Sequence, residues 1–259
     1  MRRFQKFLLL AAASCLVFAV APRSASPSPD DGWTPLFNGN NLDGWYTYLK
    51  SSGKDHDPNG VFKVEDGAIH ILGVPPAKFE DGYLSTTRDF SNVRIHAEFK
   101  WGLQRSYEGK RNSGLLYLAV GPDRIYPLSL ECQIEETDVG DLWIVNGASV
   151  SAFFIAPGMP VYDDDRMAPT TVRSLPGHSS RVLKSGDFED RTGWNTVEII
   201  LKGDQSTHIV NGRIVNFARD IRRPDPQNPS RMIPLSSGRI LLEAEGSEIW
   251  FRNVKIKPL

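Results

Sequence analysis

The stretch Ser129 to Trp143, SLECQIEETDVGDLW, decides the fold class. Leu130, Cys132 and Ile134 alternate with Ser129, Glu131, Gln133 and Glu135, a period of two that belongs to a β-strand with one apolar and one polar face. Further strands are expected at Val93 to Trp101, Ser113 to Val120, Ala148 to Ile155, Asn195 to Lys202, Gly238 to Ala244 and Glu248 to Lys257. Helical spacing sustained over eleven residues is almost absent. Two hairpins stand out: Val61 to Gly73 turns at Asp66-Gly67, and Ser206 to Ala218 turns at Asn211-Gly212. Both dipeptides tolerate the positive φ angles of a tight type I′ turn. With the opening GWTPLFNGNNLDGWYTYL, Gly32 to Leu49, about a dozen strands of uniform composition predict one all-β domain over residues 32–259, a β-sandwich of jelly-roll type. Two long stretches, Ala156 to Gly193 and Arg219 to Ser237, read as loops and as the natural rim of a binding site.

The first 31 residues read differently. Arg2, Arg3 and Lys6 precede an apolar run from Phe7 to Ala21 and then a Pro-rich, small-residue stretch, the layout of a secretory signal peptide. Residues 1–25 are expected to be that peptide and 26–31 a flexible linker, so the protein is expected to be exported, to the periplasm or beyond. About fifteen apolar residues fall short of the roughly 20 that span a bilayer, and no stable membrane span is expected in the mature chain. A lipid anchor at Cys15 is disfavoured, because Ala12 is a poor start for such a motif and the apolar run continues past the cysteine.

Losing Arg2, Arg3, Lys6 and Arg23 and no acid takes the formal charge from −1 to −5, which argues against nucleic acid as a partner. The mature chain keeps one cysteine, Cys132, so no internal disulfide forms; on the apolar face of its strand it reads as a buried structural thiol.

Glu131, Gln133 and Glu135 share one strand face, with neighbours spaced by roughly 7 Å. Two carboxylates with an amide between them suit sugar chemistry, one handling a proton while the other binds hydroxyls or water; the plainer reading is a solvated strand face. Asp138, Asp141 and Trp143 follow at once, and an indole beside carboxylates suits a carbohydrate, whose apolar ring faces stack on the aromatic. Arg111 and Asn112, at the mouth of the next strand back, could hold an anion and a hydroxyl. Of five histidines none forms a close metal-ligand pair, so zinc is unsupported. His178 and His208 are the better general-base candidates. Asp163 to Asp165, in YDDDR, lack the Gly and terminal Glu of an EF-hand loop and read as a solvated acidic loop. No nucleophile elbow, phosphate-cradling loop or dinucleotide glycine pattern occurs, which removes serine-hydrolase and nucleotide functions.

Several stretches in order, GWTPLFNGNNLDGW, VFKVEDGAIHILG, NSGLLYL, LECQIEE, GWNTVEIILKGDQSTHIVNG and EIWFRNVKIKPL, resemble the 3-keto-disaccharide hydrolase family, formerly domain of unknown function 1080. They run from Gly32 to Leu259, and GDLW with the insert up to KSGDFED resembles one branch of it. The resemblance implies a concanavalin A-like jelly roll and action on glycosides whose C3 hydroxyl has become a ketone. That carbonyl acidifies the C2 proton, so the aglycone can leave C1 by β-elimination and water can then add to the enone. The family motifs fall on Glu131 and Gln133, on Asn112 to Gly114, and on His208, Asn211 and Gly212. On that basis Glu131 or His208 is expected to be the base, Gln133, Asn112 and Arg111 positioning groups, and Trp143 a stacking platform. No cofactor is required; a divalent cation such as calcium would find ligands in Glu131 and Glu135. The same surface could serve a non-catalytic, lectin-like carbohydrate-binding module, or a glycosidase acting on unoxidised sugars through Glu131 and Glu135. The oligomeric state is not legible.

Overall fold

A computed structural model of the chain describes residues 32–73, 80–106, 109–152 and 169–259. The expected signal peptide and linker, and the Asp163 to Asp165 loop, lie outside the described residues. All the described regular structure is β, in two sheets whose hydrogen-bonded pairs are antiparallel. The larger sheet runs, in order of neighbours, Thr170–Arg173, Ser149–Ala152, Arg213–Asp225, Gln205–Val210, Asn195–Lys202, Val93–Trp101, Ile249–Pro258, Ala68–Ile71 and Phe62–Glu65. Thr34–Pro35 adds to Ile249–Pro258, and Asn228–Pro234 to Arg213–Asp225. The smaller sheet runs Ser179–Val182, Leu142–Val145, Leu128–Glu135, Asn112–Val120, Arg239–Ala244, Gly82–Thr86, Trp45–Leu49 and Gly53–Lys54.

Alternation explains the packing. Along Val93–Trp101, Val93, Ile95, Ala97, Phe99 and Trp101 are buried while Arg94, His96, Glu98 and Lys100 are partly open. The inward residues join Phe251, Ile199 and Ile249 of the same sheet, and Leu115, Leu130, Cys132, Ile134 and Leu242 of the other, in one continuous core. The outward residues pair across strands: Arg94 and His96 with Glu198, and Arg252 with Glu98. Cys132 is free and fully buried, as its place on the apolar face predicts, and burial pushes its thiol up. Both predicted hairpins form, with φ of 50° and 75° at Asp66-Gly67 and 46° and 76° at Asn211-Gly212.

The two predicted loops need correction. Arg219 to Ser237 lies largely in strands Arg213–Asp225 and Asn228–Pro234, which pair as a hairpin at the sheet edge. The prolines of these strands, Pro224, Pro229 and Pro234, are tolerated because an edge strand need not donate on its open side. Within Ala156 to Gly193, Thr170–Arg173 and Ser179–Val182 add an edge strand to each sheet; residues 156–168 lie outside the described residues. Strand Gly82–Thr86 escapes a period-two reading because all five of its residues are buried, Ser85 and Thr86 included; at Gly82 a Cβ would run into Tyr48 O.

Candidate active site

The polar face of Leu128–Glu135 turns away from the core and floors a cleft on the outer face of the smaller sheet. Glu131, Gln133 and Glu135 line it together with Asn112, Tyr126, Trp143, Val145, Ser179 and Glu245, around a volume of about 250 Å³. Register sets these neighbours: Trp143 lies opposite Glu131, and Asn112 opposite Glu135. Trp143 in turn lies opposite Arg181, whose guanidinium covers its ring at 5.6 Å. Arg181 is anchored by Asp138 at 3.1 Å and by Asp141.

The cleft floor is more acidic than the row on one strand suggests. Glu243, on the neighbouring strand Arg239–Ala244, turns its carboxylate toward that of Glu131 across Gly114. A Cβ at residue 114 would lie 2.5 Å from Glu131 Oε1 and 2.5 Å from Glu243 Oε2, so only a glycine lets the two groups meet. Glu245 completes the group: one oxygen from each of Glu131, Glu243 and Glu245 lies within 4.8 Å of the others. Glu131 and Glu243 are buried, and Glu131 Oε1 and Glu243 Oε2 have no hydrogen-bond partner among the described residues. Burial, then Glu245 and Glu135, hold the Glu131 carboxyl well above the usual carboxylate range against the pull of Arg181. Burial, then Glu245 and Glu131, do the same for Glu243. The Tyr126 hydroxyl donates to Glu245 at 2.9 Å, from the connection that precedes Leu128–Glu135. Asn112 Oδ1 and Trp143 Nε1 are also buried without partners among the described residues, leaving an acceptor and a donor on residues that line the cleft.

The other sequence-predicted residues fall in three places. Glu135 stands in the cleft but is held by Lys110 at 3.3 Å; burial raises its carboxyl and Lys110 opposes the rise. His178 lines an adjoining cleft of about 200 Å³ that shares Tyr126, Val145 and Ser179 with the first. Arg111 pairs with Glu136 at 2.9 Å and lies 5.3 Å from the Trp101 ring, away from the cleft lining. His208 is not brought to the cleft either. It sits on Gln205–Val210 of the larger sheet, buried between the sheets, with Nε2 2.9 Å from the Tyr117 hydroxyl and Nδ1 3.2 Å from Gly140 O. Burial pushes its imidazole down to about 4, so the ring is neutral and satisfied in the core; with no opening to the cleft, it cannot serve as the base there.

Glu243, Glu245 and Tyr126 are absent from the sequence-based set. The two glutamates had a signal: in ILLEAE, Ile240 to Glu245, they repeat, at the end of a second strand and just past it, the spacing of Glu131 and Gln133, two residues apart.

Comparison with known proteins adds family and fold. The model of the 3-keto-alpha-glucoside-1,2-lyase-like domain matches residues 32–257. No curated protein matches. Among solved structures, a candidate glycosyl hydrolase from Parabacteroides distasonis is 22% identical, covers 88% of this chain and 94% of its own, and superposes with a TM-score of 0.54. A second from the same organism is 21% identical, covering 88% and 99%, with a TM-score of 0.51. The β-glucanase of Bacillus licheniformis is 12% identical, covering 88% and 97%, with a TM-score of 0.50. These likenesses establish a concanavalin A-like sandwich.

Proposed function

The chain belongs to the 3-keto-alpha-glucoside-1,2-lyase-like family, and from that premise we propose that it is an exported enzyme that cleaves the glycosidic bond of 3-keto-glycosides, 3-keto-disaccharides among them. Membership carries the coarse assignment, a carbohydrate-active protein; the ketone-dependent reaction is our own reading. One observation supports it above the others: the buried carboxylates of Glu131 and Glu243, each with one oxygen that has no hydrogen-bond partner among the described residues, converge with Glu245 beside a cleft whose walls carry an indole, an amide and a phenol. A solvated strand face would leave those carboxylates to water, and burying unpaired charge is costly enough that a structure keeps it only for a purpose.

The proposed reaction breaks the C2–H bond, whose electrons form the C1–C2 double bond as the aglycone leaves C1 with its bonding pair and takes up a proton. Water then adds across that bond, its oxygen to C1 and a proton to C2, and net hydrolysis results. Glu131 stands at the floor where the reacting carbons would lie, Asn112 and Gln133 would hold hydroxyls, and Trp143 would stack on a sugar face.

Incubation of the protein with a 3-keto-disaccharide and with its unoxidised parent tests the reading. Release of monosaccharide from the ketone alone is the expected result. Cleavage of the parent would reassign the cleft to an ordinary glycosidase, and binding of either sugar without turnover would make it a lectin-like module.

A further inference from the structure

We propose that Glu131, Glu243 and Glu245 bind one divalent cation with oxygen-preferring chemistry, of the calcium, magnesium or manganese type, at the floor of the cleft. The three donor oxygens lie within 4.8 Å of one another, the span across a cation whose metal–oxygen bonds are about 2.4 Å. An acidic cluster alone would say little. Here, however, two of its members are buried, to 7% exposure for Glu131 and 3% for Glu243, and each aims an oxygen that has no partner among the described residues into the shared space over Gly114. Among the described residues neither has a salt-bridge partner. Further carboxylates surround the pair, Glu135 and Asp141 near Glu131 and Asp81 near Glu243, so repulsion is only partly relieved by Arg181. Three hard oxygen donors with no histidine or thiol among them select a cation of this class.

The cation's ligands differ from those expected from the sequence. Glu135 is drawn off by Lys110, and its place beside Glu131 is taken by Glu243 and Glu245 of another strand and the turn after it. The part that such a cation would play in turnover rests on the function proposed above. At the cleft floor it would meet the C3 carbonyl oxygen and carry the negative charge that builds there as C2 loses its proton. Its existence does not depend on that function, so the test reads binding itself.

Chelator-stripped protein should bind calcium, magnesium or manganese saturably at one ion per chain, by titration calorimetry, with a rise in the unfolding midpoint of about 5 °C at a hundredfold excess over the dissociation constant. Glu243→Gln should weaken that binding at least tenfold while its circular dichroism stays that of the wild type; Glu245→Gln gives the same reading if the first variant fails to fold. Absence of saturable binding of all three ions, or equal affinity in the Gln variants, would overturn the site. Binding without ketone cleavage would leave the cation site standing and sink only the proposed function. Full cleavage in chelator by protein that binds no ion would do the reverse.

Discussion

Glu131→Gln is expected to lower turnover of a 3-keto-disaccharide by at least about a hundredfold, the range in which loss of a positioned acid–base or electrostatic group falls. The change keeps side-chain length and removes the charge, whether the carboxylate acts on the sugar directly or through a bound cation. Glu131 is buried with an oxygen unpartnered among the described residues and its carboxyl is already raised by burial, so the neutral amide relieves a cost to the native state. With both proteins chelator-stripped, its unfolding midpoint should equal or exceed that of the wild type. Loss of activity at retained stability is the signature of a functional carboxylate; turnover within threefold of the wild type would remove Glu131 from the chemistry.

Gly114→Ala is expected to be as damaging, although residue 114 carries no chemistry of its own. The backbone there is ordinary strand, without the positive φ that would make alanine strained. What forbids a methyl group is space: it would lie 2.5 Å from an oxygen of Glu131 and from one of Glu243, both of which must swing aside. Displacing reacting groups by about 1 Å can cost a hundredfold in rate, while overpacking a buried site costs about 1–3 kcal/mol. Activity should therefore fall at least about a hundredfold with only a modest loss of stability. An alanine variant with wild-type kinetics would mean that the closeness of the two carboxylates is irrelevant to function.

The half of the site on one strand was legible, because a period of two puts Glu131, Gln133 and Glu135 on one face without knowledge of any neighbour. The partnership with Glu243 was not. It depends on Arg239–Ala244 lying beside Asn112–Val120 and on a glycine between two carboxylates, and strand order is a tertiary property that local pattern does not carry. Arg111 illustrates the same limit: nothing in the sequence says that Glu136, rather than a ligand, takes its guanidinium. His208 was not legible either. Ile209 and Val210 are both apolar, so parity leaves either face open, and only the fold puts Ser206, His208 and Val210 inside the sandwich. The sheets themselves were the most legible feature, since strands such as Val93–Trp101 alternate where one face meets the core, and the reading failed at edge strands such as Asn228–Pro234, where neither face is buried, and at Gly82–Thr86, which is buried on both.

The central claim is that cleavage passes through loss of the C2 proton, and isotope incorporation tests it most directly. A 3-keto-disaccharide cleaved in deuterium oxide, with the released 3-keto-sugar analysed at early times against an enzyme-free control, should carry one deuterium at C2, introduced as water adds across the C1–C2 double bond. Release of a sugar that keeps its original hydrogen at C2 would show direct displacement at C1, and would contradict the account.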